Sequence, residues 1–190
     1  MRLTVSPEEK KNTVIYILLL IALAAGTALG SVYLSGSWGS AGDGIKEYLG
    51  AAFKNAGDNR ASYAALLLPQ LITVGIIFVM GFFRLGFLVT GAVVVRKGFV
   101  AGFTAASFVR AYGIRGIWGL LAASPMTVIT MPLIVAYSAV SVIYSVNKNK
   151  FQKKFIFSYI FFTIFVISIF CAVYAAEGVL ATTFMKWFLP

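Results

Sequence analysis

The sequence predicts an all-α membrane protein: a polytopic bundle of about five transmembrane helices with a broken third span and a proline-kinked fourth. Three observations predict it. Hydrophobic residues make up 60% of the 190 and charged residues 12%, where soluble domains run near half apolar and a quarter charged. The mean hydropathy is +0.91. Between Asp58 and Glu177 there is no Asp or Glu, and the chain has no His. A soluble domain of this length could not hide so much apolar surface, so lipid is its solvent.

The first span is expected at Thr13–Tyr33, after a polar tail at residues 1–12 with Arg2, Lys10 and Lys11. Some 20 apolar residues at 1.5 Å per residue cross a hydrocarbon core of about 30 Å. This run is too long for the short apolar core of a cleaved leader, although GTALGS resembles a cleavage site. Ala22, Gly26 and Gly30 recur every four residues and place a small-residue face on the helix.

Residues 34–61 are expected to form an external loop. It opens on Gly and Ser and carries a short amphipathic helix, since Ile45, Tyr48, Leu49, Ala52 and Phe53 recur at helical spacing. The second span is expected at Ser62–Phe83. The third, Leu85–Tyr112, carries Arg96 and Lys97 near its middle. Each central cation costs about 2.5–3.5 kcal/mol on an insertion scale. Two readings remain open. In one, Leu85–Val95 dips into the membrane and returns. In the other, which the pattern favours, a single span breaks at Gly98, and the two cations meet lipid phosphate, a wet cleft or a partner. Gly98, Gly102 and Ala106 repeat the four-residue spacing of a helix-packing face.

RAYGIRG at 110–116 reads as a turn. The fourth span, Ile117–Val146, contains Pro125 and Pro132, each of which removes a backbone donor and favours a kink. Residues 147–154 hold four lysines and are expected in the cytoplasm. A fifth span, Phe155–Ala175, leads into an amphipathic external tail at 176–190. This orientation puts residues 1–12 inside and Trp38, Trp118 and Trp187 at the outer interface.

The net charge of +10 would point to nucleic acid in a soluble chain; here it points to cytoplasmic-side cations and anionic lipids instead. Cys171 is the only cysteine, so neither an intramolecular disulfide nor a cysteine metal site can form. Serine-protease chemistry needs a His base, aspartyl chemistry two buried carboxylates, and ion-coupled transport usually a membrane-embedded acid. No phosphate-binding glycine loop of the ATPase type occurs. The expectation is a chain with no catalytic residue, cofactor or metal site.

The run RKGFVAGFTAASFVRAYGIRGIWGLLAASPMTVITMP resembles the core of the stage II sporulation protein M family. The shared pattern is Lys97-Gly98, then Gly102-Phe103, then a helix with Pro125 and Pro132; it extends over about residues 62–146. The resemblance implies a bacterial cell-membrane scaffold acting at the septal membrane during engulfment of the forespore. It implies as partners two membrane-anchored cell-wall hydrolases, a lytic transglycosylase and an amidase/endopeptidase, which supply the chemistry of peptidoglycan remodelling. The alternative is a permease subunit driven by a separate ATPase.

Overall fold

A computed structural model describes residues 7–55, 61–114, 127–146 and 153–188, with side chains described over 11–36, 67–114, 129–146 and 153–176. Every regular element described is helical: α1 (Pro7–Asn55), α2 (Ala61–Gly81), α3 (Gly86–Tyr112), α4 (Thr127–Val146) and α5 (Lys153–Phe188). Lys11–Gly36, Gly86–Tyr112, Ile129–Val146 and Lys153–Ala176 are each long and apolar enough to cross a membrane. The described apolar part of α2, Leu67–Gly81, is shorter. The chain is an all-α, multi-pass membrane protein.

The contacts fix how neighbours run. Gly26 of α1 faces Val95 and Phe99, and Gly30 faces Phe99 and Phe103, so α1 and α3 are parallel. Ser141 of α4 reaches Ile77 of α2, and Ser145 reaches Phe83 just beyond it, so α2 and α4 are parallel too. Tyr137 meets Thr163 while Tyr144 stacks on Tyr159, so α4 and α5 are antiparallel. The helices therefore alternate up and down in chain order. One end of the bundle gathers Lys11, Arg84, Lys153 and Lys154, and Arg110 lies toward the other.

Two cores hold the bundle, and α4 belongs to both. Val74 and Ile77 of α2, Ile134, Tyr137 and Tyr144 of α4, and Tyr159, Val166 and Phe170 of α5 form the larger. Leu19 of α1, Val94 of α3, and Val135 and Ala139 of α4 form the smaller. In α4's apolar stretch 56% of residues are buried, against 17% in that of α1, which makes α4 the central helix and α1 a peripheral one.

Two expectations are corrected. Residues 34–55 do not form a loop with a separate short helix: α1 leaves its apolar stretch at Gly36 and runs unbroken to Asn55. Its proline, Pro7, sits at the first helical position, where a missing N–H costs nothing. Glycines such as Gly36 lower helix propensity by about 1 kcal/mol each but remove no donor. Helix α5 likewise continues past its apolar stretch, which ends at Ala176, to Phe188. The third span neither dips nor breaks at Gly98: α3 is continuous from Gly86 to Tyr112. Gly98 stays helical because it is packed against α1. Helices α2 and α3 are joined by a tight four-residue connection, residues 82–85. The Phe82 and Phe83 amides bond the Val79 and Met80 carbonyls at 3.1 Å, and the Gly86 amide bonds Phe83 at 3.0 Å. Helix α3 ends at Gly113, whose φ of 62° a residue with a side chain rarely adopts.

Pro132 lies inside α4, on an exposed position. Pro125 and Trp118 lie outside the described residues, as do Lys148 and Lys150 of the 147–154 stretch, and the side chains of Trp38 and Trp187 lie outside those described.

Candidate functional site

The two small-residue faces read from the sequence meet each other. A Cβ added to Gly26 would strike the Val95 carbonyl and come within 3.1 Å of the Phe99 nitrogen; one on Gly30 would strike the Phe99 carbonyl and lie 2.8 Å from the Phe103 nitrogen. From the other side, a Cβ on Gly98 would strike the Leu23 carbonyl and lie 3.1 Å from the Thr27 nitrogen. One on Gly102 would strike the Thr27 carbonyl and lie 2.7 Å from its Cα. Every obstacle is backbone. Helices come this close only where side chains are absent, and the gain is dispersion and backbone contact, since lipid offers no hydrophobic drive. Ala106, one turn further, is half-buried. At the far end Arg110 of α3 donates to Ser35 Oγ at 2.9 Å, which ties the same two helices.

Arg96 and Lys97 ride on this seam. Gly98 packs on Leu23 and Thr27, which lie near the middle of the Lys11–Gly36 stretch. Leu23 is about 18 Å along the helix from Lys11, so the cations sit at mid-depth. One residue of helix rotates a side chain by about 100°, and this separates the two. Lys97 is half-buried and turns inward: its Nζ donates to Oε1 of Gln70 on α2 at 2.6 Å. The sequence reading missed Gln70, although a Gln inside an apolar span was the available signal. Arg96 turns outward and is exposed. Among the described residues it makes no hydrogen bond or ion pair.

The opposite half of the bundle is built from different chemistry. Tyr137, Tyr144 and Tyr159 are buried and their rings stack: Tyr144 on Tyr159 at 4.3 Å between centroids, Tyr137 on Tyr159 at 6.5 Å. Phe78 stacks on Tyr159 at 5.2 Å, and Phe82 meets Tyr144 edge-on at 5.6 Å. Hydroxyls in lipid need partners, and here they reach backbone. Ser141 donates to the Ile77 carbonyl at 2.9 Å and Ser145 donates to that of Phe83. The Tyr159 hydroxyl approaches the Ile77 and Phe78 carbonyls at 3.4 and 3.3 Å, near the end of α2 where carbonyls run out of helical donors. Tyr137 and Thr163 share a hydrogen bond of 3.1 Å. Gly81 makes room for this: a Cβ there would strike the Tyr159 hydroxyl and lie 2.9 Å from its Cζ. Thr90 Oγ1 and Ser138 Oγ are buried with no hydrogen-bond partner among the described residues.

Among the described residues no group of His, Cys, Asp or Glu could hold a metal ion. The chain matches no protein-family model, no curated protein and no solved structure.

Proposed function

We propose that the chain is a non-enzymatic membrane scaffold that localises peptidoglycan hydrolases at the septal membrane while the forespore is engulfed. The observation that carries the reading is the length of α1. It leaves the apolar stretch at Gly36 and continues as helix to Asn55, about 28 Å further at 1.5 Å per residue. The basic cluster Lys11, Arg84, Lys153 and Lys154 marks the opposite end, which the excess of cations assigns to the cytoplasm. The extension then stands outside, on the side where peptidoglycan lies, with the end of α5 beside the same face. A rigid arm on a packed bundle suits holding an enzyme better than moving a solute. Between α2, α4 and α5 the interior is filled by stacked tyrosines. The resemblance of residues 62–146 to the stage II sporulation protein M family supports the same role and names a lytic transglycosylase and an amidase/endopeptidase as the partners.

The test is affinity purification of the tagged chain from sporulating cells. Both hydrolases should co-purify, and deletion of residues 37–55 should release them while leaving membrane abundance unchanged. Recovery of a stoichiometric ATPase in their place would establish the permease reading instead.

A further inference from the structure

We propose that the outward face of α3 is a docking surface for a transmembrane helix of another protein that carries a carboxylate at mid-membrane. Arg96 is exposed at mid-depth on a face whose neighbours at helical spacing, Val89, Ala92 and Val100, are apolar and exposed as well. Arg96 lies about 15 Å along α3 from Gly86, half the thickness of the hydrocarbon core, and snorkelling alone covers only part of that distance. Its neighbour Lys97 already has an internal acceptor in Gln70; Arg96 has none among the described residues. A guanidinium does not shed its proton, so it needs an anion or bidentate acceptor.

Charge identifies the occupant. The acids of this chain are Glu8, Glu9, Asp43, Glu47, Asp58 and Glu177, all outside the membrane-depth stretches that flank α3. A second copy would therefore bring Arg96 against Arg96 and offer no carboxylate. The complementary surface is an apolar helix of a different protein with one Asp or Glu at its centre, paired with Arg96 and flanked by Val89, Ala92 and Val100. This surface rests on the scaffold reading only for the supposition that a membrane-anchored partner exists; it does not depend on what that partner does outside the membrane.

The probe is a polyleucine transmembrane peptide with a single central Glu, labelled with a donor dye and reconstituted with the full chain in phosphatidylcholine vesicles. The acceptor dye goes on Cys171, the sole cysteine and exposed on α5. Energy transfer should report association about 5- to 30-fold tighter for the Glu peptide than for an all-Leu peptide, the range expected of a polar contact in lipid. Arg96→Met should abolish that advantage, and Arg96→Lys should keep part of it. Lys97→Met should leave it intact. Helicity and melting of each variant in detergent confirm that the comparison is between folded proteins. Equal binding of the two peptides, or an advantage that survives Arg96→Met, overturns the proposal. So does loss of the advantage when phosphatidylglycerol is added, because Arg96 would then hold a lipid phosphate. Hydrolase co-purification is read separately, so either idea can fail alone.

Discussion

The two halves of the bundle solve one problem in opposite ways. Between α1 and α3, close packing comes from missing side chains: four glycines let backbones touch over the length of the seam. Between α2, α4 and α5, it comes from large side chains, with three tyrosines stacked and serine hydroxyls spent on neighbouring carbonyls. Water-soluble helices can rely on hydrophobic burial for association; helices in lipid cannot, so they need either intimate backbone contact or internal polar satisfaction. The first solution is intolerant of any added atom. The second loses stability group by group.

That contrast sets the order of expected effects. Gly102→Leu should have the largest, because the new side chain meets Thr27 backbone and cannot be accommodated by a rotamer. We expect loss of about 3 kcal/mol and separation of α1 from α3, read as lost cross-linking by a short bifunctional reagent between cysteines placed at 33 and 99, where the native rings lie 5.8 Å apart, in a Cys171→Ser background. Gly75→Leu and Gly91→Leu, where an added Cβ would meet no other helix among the described residues within 4 Å, should leave the cross-link unchanged. Cross-linking that survived Gly102→Leu would mean that the seam is not as close as described.

Tyr159→Ala should come next, at about 3–4 kcal/mol in reversible unfolding in mixed micelles, for the cavity left among Tyr137, Tyr144 and Phe78. Gln70→Leu should cost about 1–3 kcal/mol, since it strands the Lys97 amine without its acceptor. The double variant Gln70→Leu, Lys97→Met removes donor and acceptor together and should recover most of that loss. A simple sum of the single effects would show that the two residues do not act as a pair. The smallest effects belong to Tyr159→Phe and Ser141→Ala, each about 0.6 kcal/mol, as single hydrogen bonds between membrane helices usually are. If either matched Gly102→Leu, the distinction between the two halves would collapse.

What the sequence by itself determined was the solvent and the periodicity. A chain that is apolar, and free of acids from Asp58 to Glu177, can be read as a membrane bundle because transfer to lipid depends on composition, which is local. The spacing of Gly26, Gly30, Gly98 and Gly102 was legible for the same reason: a four-residue period marks one face of any helix. Which faces meet is not local. Only the tertiary structure decided that the two glycine pairs face one another in parallel helices. It also decided that Lys97 turns to Gln70 while Arg96 turns away. The expected break at Gly98 came from weighing the cost of a central cation without knowing that an amide across the helix pair offsets it. The expected loop at 34–61 came from reading glycine and serine as loop formers, although a helix ends where its backbone bonds find better partners, and up to Asn55 they did not. The tyrosine cluster was invisible for a related reason. Aromatic residues in an apolar span look alike in sequence, and only packing tells a buried hydroxyl on a neighbour's carbonyl from a ring facing lipid.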